Sequence, residues 1–177
     1  RVVALADEVP FEALHVRARH QVLADGFSAG GAATAGVTVA SPALPGGGGG
    51  SGGGGDGVPL DWAAAGEEVS AAEWHAELSS AAPPLVLDCR NGYESAVGRF
   101  DGAVPLDTDA FPDTWAALRA RLDGVDPRRR VLTYCTGGIR CVKVGAYLEQ
   151  VMGYKNVGRL RGGVVSYARA WRAGELD

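Results

Sequence analysis

Cysteine is scarce in this chain: three among 177 residues, at positions 89, 135 and 141. Three thiols do not make a disulfide framework, so we expect a reducing, intracellular compartment, cytoplasmic or organellar (plastid or mitochondrion). Long apolar runs are missing too. None approaches the ~20 residues that a membrane-spanning helix needs, so no membrane association is expected. Histidine occurs three times, at 15, 20 and 75, and these are not spaced with a carboxylate as a metal triad. No flavin or nicotinamide fingerprint is present, so we expect neither a metal nor a cofactor. The chain opens on Arg1 rather than methionine. We expect a fragment or a processed product, with any targeting segment outside this sequence. Acidic residues are scarce in one place. From Arg128 to Arg172 there are ten Lys and Arg against Glu149 alone, in a chain of net charge −4. Such a basic half fits an anionic substrate, either a small oxyanion or RNA. It equally fits a solvated surface that balances an acidic N-terminal half.

What is present suffices for a core: 46% of residues are apolar and 21% are charged, which excludes wholesale disorder. Residues 1–33 form an opening segment in which Leu14 to Arg19 alternates apolar and polar, as a half-buried strand does. One or two strands bury no core alone, so this segment reads as the tail of a further domain. His15 and His20 read as surface strand residues. Residues 34–66 differ in kind. Gly46 to Gly57 holds ten glycines with Ser51 and Asp56, the composition of a flexible linker. No strand precedes these glycines and no Lys-Ser/Thr follows, so they are no phosphate-binding loop.

Residues 67–177 read as an α/β domain. Ser70 and Glu73 form a capping box that starts a helix over Ala71 to Ser80. Leu85 to Cys89 is a short apolar run bounded by breakers, as a buried parallel strand would be. Ala103 to Leu106 is a weaker strand. Phe111, Trp115, Leu118 and Leu122 mark one face of an amphipathic helix. Arg130 to Cys135 and Asn156 to Leu160 read as strands, and Cys141 to Met152 and Val164 to Ala173 as helices. Alternating strands and helices imply a parallel sheet flanked by helices. Ligands of such sheets bind outside the carboxyl ends of the strands. That places Asp88-Cys89-Arg90 and Cys135 to Arg140 on one edge.

The chemistry concentrates in Tyr134-Cys135-Thr136-Gly137-Gly138-Ile139-Arg140-Cys141. A strand ends in a cysteine, a glycine-containing loop follows, and a helix starts. Backbone N–H groups and the helix dipole favour a negative sulfur there. We expect Cys135 to be a nucleophile in an anion pocket lined by Thr136, Gly137, Gly138, Ile139 and Arg140, with Arg140 as a fork-shaped cation. The spacing Cys-x-x-x-x-Arg is one residue shorter than in the phosphate-cleaving Cys-x-x-x-x-x-Arg loop. The tighter pocket suits sulfur carried on sulfur better than a tetrahedral phosphate. The bland alternative is a packing cysteine before an ordinary turn. Asp88 and Arg90 are expected as supporting residues near the pocket, with Arg90 paired to Glu94 or Asp88. Cys141 is either a resolving thiol or small core packing, and Cys89 stands behind it in the same role. Tyr93, Trp115 and Trp171 read as core or domain-face residues rather than base-stacking platforms.

The residues from about Val69 to Trp171 resemble a rhodanese domain. Within that superfamily they are similar to the rhodanese-like tRNA uridine hydroxylase group. Four stretches carry the resemblance: Asp88 to Glu94, Val97 to Ala103, Tyr134 to Lys143 and Leu160 to Val164. Cys-Thr-Gly-Gly-Ile-Arg-Cys is the most specific. Val142 departs from the glutamate usual in that group. Leu14 to Gly26 resembles the end of the ferredoxin-like (acylphosphatase-like) domain that precedes the rhodanese domain there. The resemblance implies a persulfide-capable Cys135, a sulfur donor or other anionic small molecule as partner, and tRNA as the candidate substrate for oxygen-dependent 5-hydroxylation of the wobble uridine. A generic thiosulfate-type sulfurtransferase and a non-catalytic rhodanese-like binding module are the alternatives.

Overall fold

The computed structural model describes Leu23, Val37–Thr38 and residues 59–176. Five strands form one sheet: β3 (Glu67–Val69), β4 (Leu85–Asp88), β5 (Val104–Pro105), β6 (Val131–Tyr134) and β7 (Val157–Leu160), in the order β3-β7-β6-β4-β5. Every pairing is parallel. A separate short pair joins β1 (Val37–Thr38) to β2 (Pro59–Leu60), antiparallel. The helices are α1 (Ala71–Leu78), α2 (Gly92–Val97), α3 (Thr114–Arg121), α4 (Ile139–Gln150) and α5 (Gly163–Arg172), with a single 3-10 turn at Phe111–Asp113. The expected parallel sheet with helices on both faces is what forms. No helix among the described residues is long and apolar enough to cross a membrane.

Strand alternation sorts the interior into two layers. On one face, Leu87, Cys89, Val131 and Cys135 pack with Leu118 of α3 and Val144, Tyr147 and Leu148 of α4. On the other, Val86, Leu132, Tyr134 and Leu160 pack with Trp74 of α1, against Val164 and Tyr167 of α5. Residues two apart share a face, so Cys89 and Cys135 look toward α4. Asp88 and Tyr134 look the opposite way. Pro105 is tolerated because β5 is an edge strand and lacks one neighbour.

Besides β1 and β2, which fall inside the expected linker, two elements escaped the sequence patterns. β3 is only three residues long and two of them are exposed glutamates, so no hydrophobic run marks it. α2 is six residues long and opens on glycine, too short to show periodicity. The 59–66 part of the expected linker is packed. Leu60 and Ala65 are fully buried. The Gln150 amide at the end of α4 donates to the carbonyls of Asp61 and Ala64, each at 2.7 Å, and accepts from the Asp61 N–H at 2.9 Å. The Gly66 N–H donates to Glu149 Oε2 at 3.1 Å. The packed unit therefore begins ahead of Glu67. The glycine-rich neighbourhood masks it, because the apolar residues there are isolated and show no period. The glycine run itself, His15, His20 and the ferredoxin-like segment lie outside the described residues, Leu23 excepted.

Candidate active site

β6 delivers Cys135 to the carboxyl edge of the sheet, and Thr136 to Gly138 turn the chain into α4. Gly138 adopts φ 89°, a left-handed conformation that side chains resist. Its N–H donates to Cys135 Sγ at 3.1 Å. The start of α5 braces the loop from behind: the Val164 and Val165 N–H groups donate to the carbonyls of Cys135 and Thr136 at 2.9 and 3.2 Å. That approach requires glycine at 163. Its φ is +64°, and a Cβ there would lie 2.4 Å from the Cys135 carbonyl oxygen.

Two cavities flank the loop. The smaller, of about 230 Å³, is bounded by Cys135, Gly137, Ile139, Arg140 and Leu23. The larger, of about 560 Å³, is reached past Thr136 and Arg140 and includes Asn91, Tyr93 and Phe111. Leu23 and Arg140 are walls of both. Leu23 packs against the core on the α4 face. Its carbonyl accepts from Lys143 Nζ at 3.0 Å, and that ammonium also sits 5.4 Å from the centre of the Trp62 ring. Of the expected pocket residues, Cys135, Gly137, Ile139 and Arg140 line the smaller cavity and Thr136 and Arg140 the larger, while Gly138 lines neither. Ile139 points its side chain outward and is exposed.

The electrostatics differ from expectation at two groups. Cys135 is 1% exposed. Its thiol is pushed up, first by a hydrogen bond with the Cys141 thiol and then by burial; the Cys141 and Arg140 N–H groups oppose this. The Cys141 thiol and burial both push the sulfur away from the anionic form expected of it. Low dielectric and a neighbouring thiol outweigh the loop's N–H groups. Arg140 is already paired. Its Nη1 donates to Glu94 Oε2 at 2.7 Å and its Nη2 to Glu94 Oε1 at 3.0 Å. Glu94 also accepts the Thr136 hydroxyl and the Asn91 N–H. The Arg140 guanidinium, with Thr136 and the Asn91 backbone, holds the Glu94 carboxyl down at about 2 against its burial. Sequence patterns missed Glu94 as a site residue. Its signals were its place inside the Asp88 to Glu94 stretch and its expected pairing with Arg90, a partner it does not take.

Asp88 and Arg90 form a buried knot on the other side of the sheet. Arg90 Nε and Nη2 donate to the two Asp88 oxygens at 2.9 and 2.7 Å. The Ser95 and Tyr134 hydroxyls add bonds at 2.8 and 2.6 Å. Burial alone would raise the Asp88 pKa, but these bonds lower it. Of the two partners expected for Arg90, Asp88 is the one used. Neither residue bounds the two cavities. Cys89 and Cys141 are buried free thiols beside Cys135. Trp115 is in the core, whereas Tyr93 and Trp171 are exposed. No group of three His, Cys, Asp or Glu among the described residues is placed to hold a metal ion.

The rhodanese-like domain family model matches residues 71–170. This chain belongs to that family. The rhodanese-like domain here is 44% identical over 114 residues to a tRNA uridine(34) hydroxylase of Caulobacter vibrioides, covering 61% of this chain and 36% of that protein. It is 40% identical over 103 residues to a protein of the same name from Leptospira interrogans, covering 58% of this chain and 27% of the other. The chain thus spans about a third or less of the length of these relatives. A rhodanese-like domain protein of Staphylococcus aureus, solved by crystallography, superposes with a TM-score of 0.47 at 23% identity, over 57% of this chain and 90% of the other.

Proposed function

We propose that this chain carries the cysteine domain of a tRNA-modifying enzyme, acting in 5-hydroxylation of the wobble uridine with Cys135 as a persulfide-capable nucleophile. The observation that carries the reading is the Cys135 loop. An intact cysteine lies at the base of a small cavity, an N–H group is aimed at its sulfur, and relatives about 40% identical over this domain bear the hydroxylase name. The basic stretch from Arg128 to Arg172 suits a polyanionic partner. An intracellular setting follows from that substrate.

Each residue has a task under this reading. Cys135 first gives its proton to solvent as the donor arrives. Its sulfur attacks the outer sulfur of an anionic donor, one S–S bond forms, and the donor's leaving group departs with the electron pair of the broken bond. The Gly138 N–H, 3.1 Å from the sulfur, stabilises the negative charge that builds there. The 230 Å³ cavity limits what can approach. The Glu94–Arg140 pair holds the loop in place. Asp88, Arg90 and Cys141 support the site from the interior rather than by touching substrate.

The test is mass analysis of wobble uridine in a deletion strain carrying either the full-length parent protein or its Cys135→Ser variant. Loss of the hydroxyl in the variant is expected, and unchanged modification overturns the reading. The second reading, a thiosulfate-type sulfurtransferase, draws on the small size of the cysteine cavity. Cys135-dependent thiosulfate:cyanide turnover with unaltered tRNA favours it.

A further inference from the structure

The larger cavity is not needed for a small sulfur donor. At about 560 Å³, it has the size of a ligand pocket rather than of a packing gap. Its walls are aromatic on two sides. Phe111 is buried and held edge-on against Trp115, with ring centres 5.3 Å apart. Tyr93 is the opposite: 68% exposed at the first turn of α2. An exposed tyrosine ring beside a cysteine loop is unexplained by folding. The Asn91 amide also lines the cavity. Its Oδ1 is 3.5 Å from Arg140 Nη1 and its Nδ2 is 3.5 Å from the Tyr93 hydroxyl. Both contacts are at the outer limit of a hydrogen bond. Such long contacts leave the amide, at the N-cap of α2, able to turn toward a ligand.

We infer that this cavity seats the target base, an uracil turned out of a single-stranded RNA loop, with Tyr93 as its stacking face and Asn91 reading its imide edge. The inference rests on the function proposed above and names where the substrate sits. A carboxamide offers one donor and one acceptor side by side, which matches the carbonyl and N–H of an uracil. RNA loops present unstacked bases to aromatic side chains in this way. Arg140 and Thr136 are shared between this cavity and the cysteine loop, so a base held here lies against the loop that carries Cys135. Tyr93 is 68% exposed, which leaves its ring open to a base.

The experiment measures binding of an anticodon stem-loop RNA to the full-length parent protein, with uridine, cytidine or an abasic sugar at the wobble position. Tyr93→Ala is expected to weaken the uridine loop roughly ten- to a hundredfold, to leave the abasic loop unchanged, and to be rescued by Tyr93→Phe. Asn91→Ala is expected to reduce the preference for uridine over cytidine. Equal binding of the uridine and abasic loops by wild type, or an unchanged uridine affinity in Tyr93→Ala, overturns the inference. Failure of the parent reading is visible elsewhere: Cys135→Ser then leaves the wobble uridine modified, whatever Tyr93 does to binding.

Discussion

Replacing Glu94 by glutamine tests whether the active-site loop is held by charge. In the native chain its carboxylate takes both arms of Arg140, the Thr136 hydroxyl and the Asn91 N–H. A carboxyl moved from 4.5 to about 2 corresponds to roughly 3 kcal/mol at ~1.4 kcal/mol per tenfold change. About a fifth of the Glu94 side chain faces solvent, and screening there reduces the net loss to roughly 1–2 kcal/mol. The sign follows from the depressed pKa. The stabilisation is complete above the unfolded value near 4.5 and fades as pH falls toward 2, with more than half gone by about pH 3. Urea denaturation of Glu94→Gln and wild type between pH 7 and pH 3 reads this directly. The gap between the two proteins is expected at neutral pH and narrows on acidification. A gap that is absent at pH 7, or that widens toward pH 3, refutes the account.

Cys141→Ala removes the thiol that holds Cys135 up, so the pH midpoint of Cys135 alkylation by iodoacetamide is expected to fall. An unchanged or higher midpoint counts against a coupled pair. Gly163→Ala drives a methyl into the Cys135 and Thr136 carbonyls at a positive φ; overpacking of about 1–3 kcal/mol and backbone strain of about 1–2 kcal/mol add, and both melting temperature and Cys135-dependent turnover drop. Leu60→Ala is expected to cost roughly 2–5 kcal/mol in urea denaturation, because Leu60 is a core residue. A near-neutral effect would return residues 59–66 to the linker.

Several features were legible because local pattern and environment agree. The capping box at Ser70 and Glu73 forms as expected, with both reciprocal bonds in place. Leu85 to Asp88 and Val131 to Tyr134 are buried strands because their apolar runs have no polar face to keep in water. α4 begins two residues earlier than its apolar period suggests, since Gly138 turns the chain and lets Ile139 start the helix. Tyr93 reads as a core or domain-face residue until the fold shows it exposed at a cavity. The 59–66 segment was hidden by composition: its anchors are Gln150 and Glu149, some 85 residues away, and no local signal points to them.

The sequence by itself determined the parallel α/β architecture, the cysteine at a strand end and the loop around it. These follow from short-range periodicity, breakers and a motif whose residues are neighbours in the chain. Tertiary structure alone decided the partners. Parallel pairing of β4 with β6 brings α2 beside the loop, and only then does Glu94 meet Arg140. The two-residue alternation puts Asp88 and Tyr134 on one face and Cys89 and Cys135 on the other, where α4 brings Cys141. It also decides the state of Cys135. A loop of N–H groups favours a thiolate, but the Cys141 thiol and then burial push the other way, and both are properties of the whole fold.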